Sequence, residues 1–486
     1  MERVSGEGSV FGWMKQKQLQ AAAVAAVCGA LGGGQPLQAA EAMTSGAGAA
    51  ATSGASAGTS PMAGGPAAAA PSGVGLETQG YLFSRFERRE GFSSASTKAG
   101  DLVRYRALLT LTTTPIQINQ SYTLQVRFAP QVGGYWGTGG DTLEDPGLIL
   151  HEAEARLTMP GFLLEAGRFE MAYGDQALIG PSRWGNVGRA FDGLRLHAQK
   201  DKQSPWLDLF ATQLDEVLSG ENVPSTNLMS GDTLFAGAYA GLGALVPGRP
   251  DLEFYALGLI QPGYETDDGL LHQNSLRMTL GSRLKGKLKW WDFRLEGGIQ
   301  AGGINEKVTT VDDAGVETIT YKDSSLMGYQ VMAETGVTLP VAKGLRLGLE
   351  GFYASGDDPA TTDKKESWFQ LYPTAHKWLG LMDVLNTRSN LYGSVGYLKL
   401  DPFGFLTVQG EAYMFWQPFY TDSAGVLSQD QYQGMELDGT LLYRIGKGMT
   451  VKAIGGLFIK PDVLVDVTDP YAGRFKYAEL ELGTTF

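Results

Sequence analysis

The chain carries four histidines, His151, His197, His272 and His376, and one cysteine, Cys28. These are the types that most often bind metals or act as nucleophiles and bases. Here they are scattered. No two histidines sit at metal-ligand spacing, and His151 and His197 have no Ser-His-carboxylate pattern around them. His376 lies in YPTAHKW, where packing of a loop accounts for it. Cys28 falls in an apolar N-terminal stretch, so the processed chain holds no disulfide and no thiolate site. The expectation is no catalytic residue, no metal and no cofactor, with hydrolysis kept as a minor alternative.

The remaining chemistry lies in charges that alternate with apolar residues. LVRYRALLTL sets Arg104 and Arg106 against Val103, Tyr105, Ala107 and Leu109, and YTLQVRF sets Arg127 against Val126 and Phe128. The same period of two places Arg156, Arg195, Arg277, Arg283, Arg294, Arg346, Arg444 and Lys452 on one face of their segments. Glu152, Glu154, Glu165, Asp208, Glu253, Asp292, Glu296, Glu334, Glu350, Glu411, Glu436, Asp438, Glu479 and Glu481 share that face. Period two is the signature of a β-strand with two unlike environments. An Arg or Lys facing lipid near the midplane would cost about 2–4 kcal/mol, whereas a wet lumen tolerates it and can use it to select a permeant. Arg104, Arg106, Arg127, Arg156, Arg195, Arg294, Arg346, Arg444 and Lys452 are therefore the candidate pore-lining, substrate-binding set. Ion-pair ladders between neighbouring strands are the alternative role for each.

About eighteen such segments recur, beginning near residues 80, 102, 121, 148, 162, 191, 206, 233, 252, 275, 291, 326, 345, 391, 405, 435, 450 and 475. Short links (159–161, 246–251, 340–344, 401–404, 445–448) alternate with long ones (131–147, 170–190, 214–231, 303–325, 356–388, 418–433). The 67 glycines suit many turns, and past the N-terminus no apolar run is long enough for a membrane helix. The fold expected is all-β, a single transmembrane antiparallel barrel with short periplasmic turns and long extracellular loops. An even strand number brings both termini to the periplasmic side and leaves no open edge. A formal net charge of −13 argues against a nucleic-acid partner.

The N-terminus reads as an address. Lys15 and Lys17 precede an apolar stretch from Ala21 to Leu31, then small residues near Ala40. This is a secretory signal layout over residues 1–42, with Met14 a possible true start. Residues 43–75 are Ala, Gly, Ser and Pro of low complexity, expected to stay disordered. The barrel would occupy 76–486.

The segment FLLEAGRFEMAYGDQALIGPSRWGNVGRAFDGLRL (162–196) resembles the alginate-export porin family of Gram-negative outer membranes. YPTAHKWLGLMDVL (372–385) and ELDGTLLYRIGKGMTVKAIGGLFIKPD (436–462) resemble further segments of that family. The resemblance implies an eighteen-stranded barrel, about the number counted independently. It also implies passage of a polyuronate through an arginine-rich constriction partly covered by loops. Arg168, Tyr173, Asp175, Gln176, Trp184, Asn186, Arg189 and Asp192 then fall in a pore loop and its strand junctions. Arg can hold carboxylates bidentately there, or these residues can pair among themselves to shape the loop. The charge balance departs from such a pore, because the inward set holds more acidic than basic residues.

The expected function is passive transport of a hydrophilic, anionic or saccharide-like solute across the Gram-negative outer membrane. A structural, adhesive or non-selective diffusion barrel is the alternative. The expected partners are the lipid bilayer, an anionic solute or polysaccharide, and the barrel-assembly machinery. The last follows from the ending AELELGTTF, in which Leu480, Leu482 and Phe486 face lipid and Glu479 and Glu481 the lumen. A terminal Phe resembles the signature that this machinery reads.

Overall fold

The computed structural model describes residues 74–91, 100–137, 147–214, 233–261, 275–311, 317–341, 344–374, 376, 378–385, 387–421, 427–461 and 474–486. The signal segment and most of the low-complexity leader lie outside them. The strands are β1 (Leu76–Glu90), β2 (Gly100–Thr113), β3 (Ile116–Gln117), β4 (Thr123–Gly137), β5 (Gly147–Met159), β6 (Phe162–Phe169) and β7 (Phe191–Gln199). They continue with β8 (Trp206–Leu214), β9 (Thr233–Gly241), β10 (Asp251–Gln261), β11 (Ser275–Leu288), β12 (Trp291–Val311), β13 (Glu317–Leu339) and β14 (Leu345–Ala354). The last are β15 (Lys364–Lys365), β16 (Leu391–Phe403), β17 (Leu406–Thr421), β18 (Leu427–Ile445), β19 (Met449–Ile459) and β20 (Arg474–Thr485).

Setting aside the two-residue strands β3 and β15, every strand pairs antiparallel with its neighbour in sequence, and β20 pairs β1, closing a barrel of 18 strands. Closure leaves no strand edge along the wall. The C-terminal residue takes part in the seam. Gly80 N–H donates to the Phe486 carbonyl (2.8 Å) and Phe486 N–H to the Gly80 carbonyl (3.1 Å). The Phe486 ring covers the position where a Gly80 side chain would stand.

Alternation divides the wall as the sequence predicts. On β20, Leu480 and Leu482 are exposed on the outer face and Tyr477 and Glu479 are buried on the inner one. Outward aromatic side chains gather in two bands. Near the end away from the termini, Tyr329, Tyr353, Tyr392 and Trp416 stack in a row, with successive ring centroids 5.6, 5.9 and 5.6 Å apart. Near the terminal end, Phe405 packs against Phe403 and Tyr443 at 5.3 and 5.4 Å. Such girdles mark the two interfaces of a bilayer.

Two strands begin earlier than the alternation suggested. β13 starts at Glu317 rather than near 326, and β18 at Leu427 rather than near 435. In TYKDSS (320–325) and LSQDQYQG (427–434) the outer face is no longer continuously apolar, because these strand ends need not meet hydrocarbon. Backbone pairing carries them on. Most of the expected loop 303–325 is accordingly the long β12–β13 hairpin.

Candidate functional site

Two connections at the end away from the termini turn inward and meet inside the barrel. The first, residues 170–190, links β6 to β7; the second, residues 355–390, links β14 to β16. Their backbones pair where Gly180 N–H donates to the Tyr372 carbonyl, Tyr372 N–H to Leu178 and Thr374 N–H to Gln176, at 2.9, 2.9 and 3.0 Å. Thr374 Oγ1 donates to Gln176 Oε1 (2.7 Å), and Arg189 Nη1 reaches the Pro373 and Gly180 carbonyls. Arg388 is fully buried and donates to the Ala177 carbonyl; burial lowers its pKa to about 10, so it stays charged at neutral pH.

The first segment is pinned around one side of the wall. Asn186 Nδ2 donates to the Gly134 carbonyl on β4 (2.7 Å), and Tyr173 OH to Asp208 on β8 (2.7 Å). Asp175 accepts from Arg283 and Lys285 of β11 at 2.7 and 2.8 Å. Burial alone would raise the Asp175 pKa, but these two cations outweigh it and hold the carboxyl well below the usual carboxylate range. The second segment is pinned to the other side. Leu381 and Met382 N–H donate to Asp438 and Glu436 on β18, both at 2.9 Å, and Gly380 takes a positive φ of 93° beside the Glu436 carboxylate. Apolar side chains bury each attachment. Phe169, Met171, Ile179 and Phe191 pack with Phe210, Phe235 and Tyr239, while Trp378, Leu379 and Met382 pack with Tyr413, Phe415 and Phe458. The interior is thus filled at mid-height by hydrophobic packing as well as by charge.

Trp184 joins the two attachments. Its ring lies 3.6 Å from the Arg85 guanidinium carbon and stacks on His376 with centroids 3.3 Å apart, and Lys452 approaches at 5.0 Å. Its carbonyl accepts from Arg85 Nη2.

Most of the expected pore-lining arginines are bound in ladders between strands. Arg104 pairs with Glu87 (2.5 Å), Arg127 with Glu152 (2.9 Å), and Arg156 with Glu154 and Glu165 (2.7 and 3.2 Å). Glu165 also holds Arg195. Arg294 pairs with Glu350 and Glu334 (2.8 and 3.1 Å), and Arg346 with Asp292 and Glu334 (2.5 and 2.8 Å). Lys452 pairs with Glu479 and Glu481 (3.0 and 3.4 Å). Arg106 instead donates to the Gly185 carbonyl (3.1 Å), and Arg444 donates to Thr407 Oγ1 (3.0 Å) with no carboxylate partner among the described residues.

Two expected pore-loop residues are elsewhere. Arg168 and Asp192 pair at 2.6 Å on β6 and β7, three residues from the inward-facing Glu165–Arg195 pair, so the two-residue period turns them to the outer face. The sequence reading missed Arg85 and Glu87, both almost wholly buried and bonded at 2.9 Å. Their alternation with Ser84 and Phe86 was the signal available. Arg388, in a loop, offered none.

Toward the terminal end the inner wall from β11 to β19 changes character. Lys285, Lys287, Arg346, Lys399, Arg444 and Lys452 share its lumen face, interspersed with the carboxylates Asp292, Glu334 and Asp401. Among the described residues Lys287, Lys399 and Arg444 make no ion pair, and they are exposed or half-exposed. This basic arc lies on the terminal side of the two inward segments.

A closed antiparallel barrel with an apolar outer face, two aromatic bands and a charged interior constricted by inward segments is an outer-membrane barrel of porin type. The chain belongs to the alginate export family, whose model matches residues 152–442. Similar solved structures include Acinetobacter baumannii OccAB4, with TM-score 0.56, 10% identity, and 85% of this chain and 98% of that chain covered. Pseudomonas aeruginosa OccK2 (OpdF) gives TM-score 0.55 at 14% identity, with 85% and 97% covered. The outer membrane protein opdK of the same organism gives TM-score 0.54 at 12% identity, with 85% and 98% covered. At these identities the likeness is one of fold. No curated protein matches the sequence.

Proposed function

We propose that the chain is a passive, anion-admitting channel for a hydrophilic, carboxylate-bearing solute of saccharide type, with its termini on the periplasmic side. The observation that carries this reading is the basic arc of Lys285, Lys287, Lys399 and Arg444, which includes cations free of carboxylate partners among the described residues at the terminal mouth. Cations already bound in ladders are largely neutralised; unpaired ones keep a field that raises the local concentration of anions. Family membership supports a polyuronate as the solute. In this reading residues 1–42 direct export, and the terminal strand ending at Phe486 is the handle for the barrel-assembly machinery.

Planar-bilayer recording tests it. A salt gradient should give a reversal potential of anion-preferring sign, reduced when Lys287, Lys399 and Arg444 are changed to Gln. A non-selective barrel, the second reading, would show neither.

A further inference from the structure

We propose that Arg277, Gln300 and Phe369 form a carboxylate-binding subsite in the half of the lumen away from the termini, with the Phe369 ring as its movable cover. The inference rests on the reading of the barrel as an anion-admitting channel, but concerns a station separate from the basic arc.

Six described arginines are buried: Arg85, Arg106, Arg277, Arg283, Arg294 and Arg388. Five of them meet a carboxylate or a backbone carbonyl. Arg277 meets neither among the described residues. It is 9% exposed, its Nη1 lies 3.3 Å from Gln300 Oε1, and its Nε is buried without an acceptor. A guanidinium taken out of water without a counter-charge is costly, and a ladder arrangement would have removed that cost. Across the strand pair stands Gly302, which offers no side chain to it.

What covers the cation is the Phe369 ring, with the guanidinium carbon 4.8 Å from its centroid. The backbone of Phe369 is fixed, because its N–H donates to Gln300 Oε1 (2.9 Å) and its carbonyl accepts from Gln300 Nε2 (2.8 Å). Phe369 is 38% exposed, and its side chain can turn about χ1 while the backbone stays anchored. A cation–π contact is weaker than a bidentate carboxylate contact. A solute carboxylate can therefore displace the ring, and Gln300 Nε2, already bonded to Thr279 (3.1 Å), holds the floor of the subsite in place.

The test is calorimetric titration of the detergent-solubilised full chain with sodium glucuronate, with methyl glucoside as the uncharged control. The wild type should bind glucuronate and not the control. Arg277→Gln should weaken binding about tenfold or more, Arg277→Lys less, and Phe369→Ala should strengthen it. Heat-dependent electrophoretic mobility of each variant verifies that the barrel is folded. Wild-type affinity retained by folded Arg277→Gln, or no glucuronate binding by the wild type, overturns the subsite. The reversal potential separates the two claims. If it is anion-preferring while Arg277→Gln binds normally, only the subsite fails; if it is not, while binding depends on Arg277, only the channel reading fails.

Discussion

Trp184 and His376 stack with ring planes 10° apart, one from each inward segment, and the Arg85 guanidinium covers the other face of Trp184. Strand, first segment and second segment are thereby joined at a single indole. A cation–π contact contributes about 0.5–2 kcal/mol. Trp184→Ala should therefore raise the undocked population of the segments roughly 2- to 30-fold. More frequent or larger open events in single-channel records are the expected outcome. An unchanged record would show that the segments are held without this contact.

Glu165 serves two arginines on two strands, Arg156 and Arg195. Removing its charge takes the ion-pair partner from Arg195 and leaves Arg156 with Glu154 alone, and breaking a buried pair costs about 3–5 kcal/mol. Glu165→Gln should lower the temperature of barrel unfolding measured by heat-modified mobility. Arg104→Ala, which strips a partner from Glu87, should act in the same direction with little effect on ion preference.

Asp175 ties the first segment to β11, and its carboxyl is held below the usual range by Arg283 and Lys285. A depressed carboxylate contributes stability that is fully present above its unfolded pKa, about 3.9. That contribution is lost only as pH falls below that value. Conductance should therefore stay constant, as far as this tie governs it, from pH 7 to 5. Asp175→Asn should increase opening at pH 7 to the level that strong acid produces in the wild type.

Phe486 closes the seam through its backbone pairing with Gly80. Deleting it should reduce the amount of folded barrel recovered from outer membranes. The conductance of molecules that do insert should change little. Normal insertion of the truncated chain would remove the role assigned to the terminal residue.

The wall was legible from sequence because a two-residue period is local. Val103 to Leu111 announces both the strand and its lipid face, and the termini of most strands fall within a few residues of those expected. The site was less so. Whether Arg195 binds a solute or Glu165 depends on register between strands, which no single segment encodes. Whether 170–190 turns inward depends on partners such as Asp208, Arg283 and Tyr372, far away in sequence. Lys287, Lys399 and Arg444 became distinctive only once the neighbouring charges were seen to be paired.

The central claim is that the Lys287, Lys399 and Arg444 cations at the terminal mouth set anion preference. The most direct measurement is the zero-current potential of the reconstituted barrel in a potassium chloride gradient, for the wild type and Lys287→Gln/Lys399→Gln/Arg444→Gln. The account predicts anion preference in the wild type and its loss in the triple variant. A cation-preferring wild type, or a triple variant with the same potential, would contradict it.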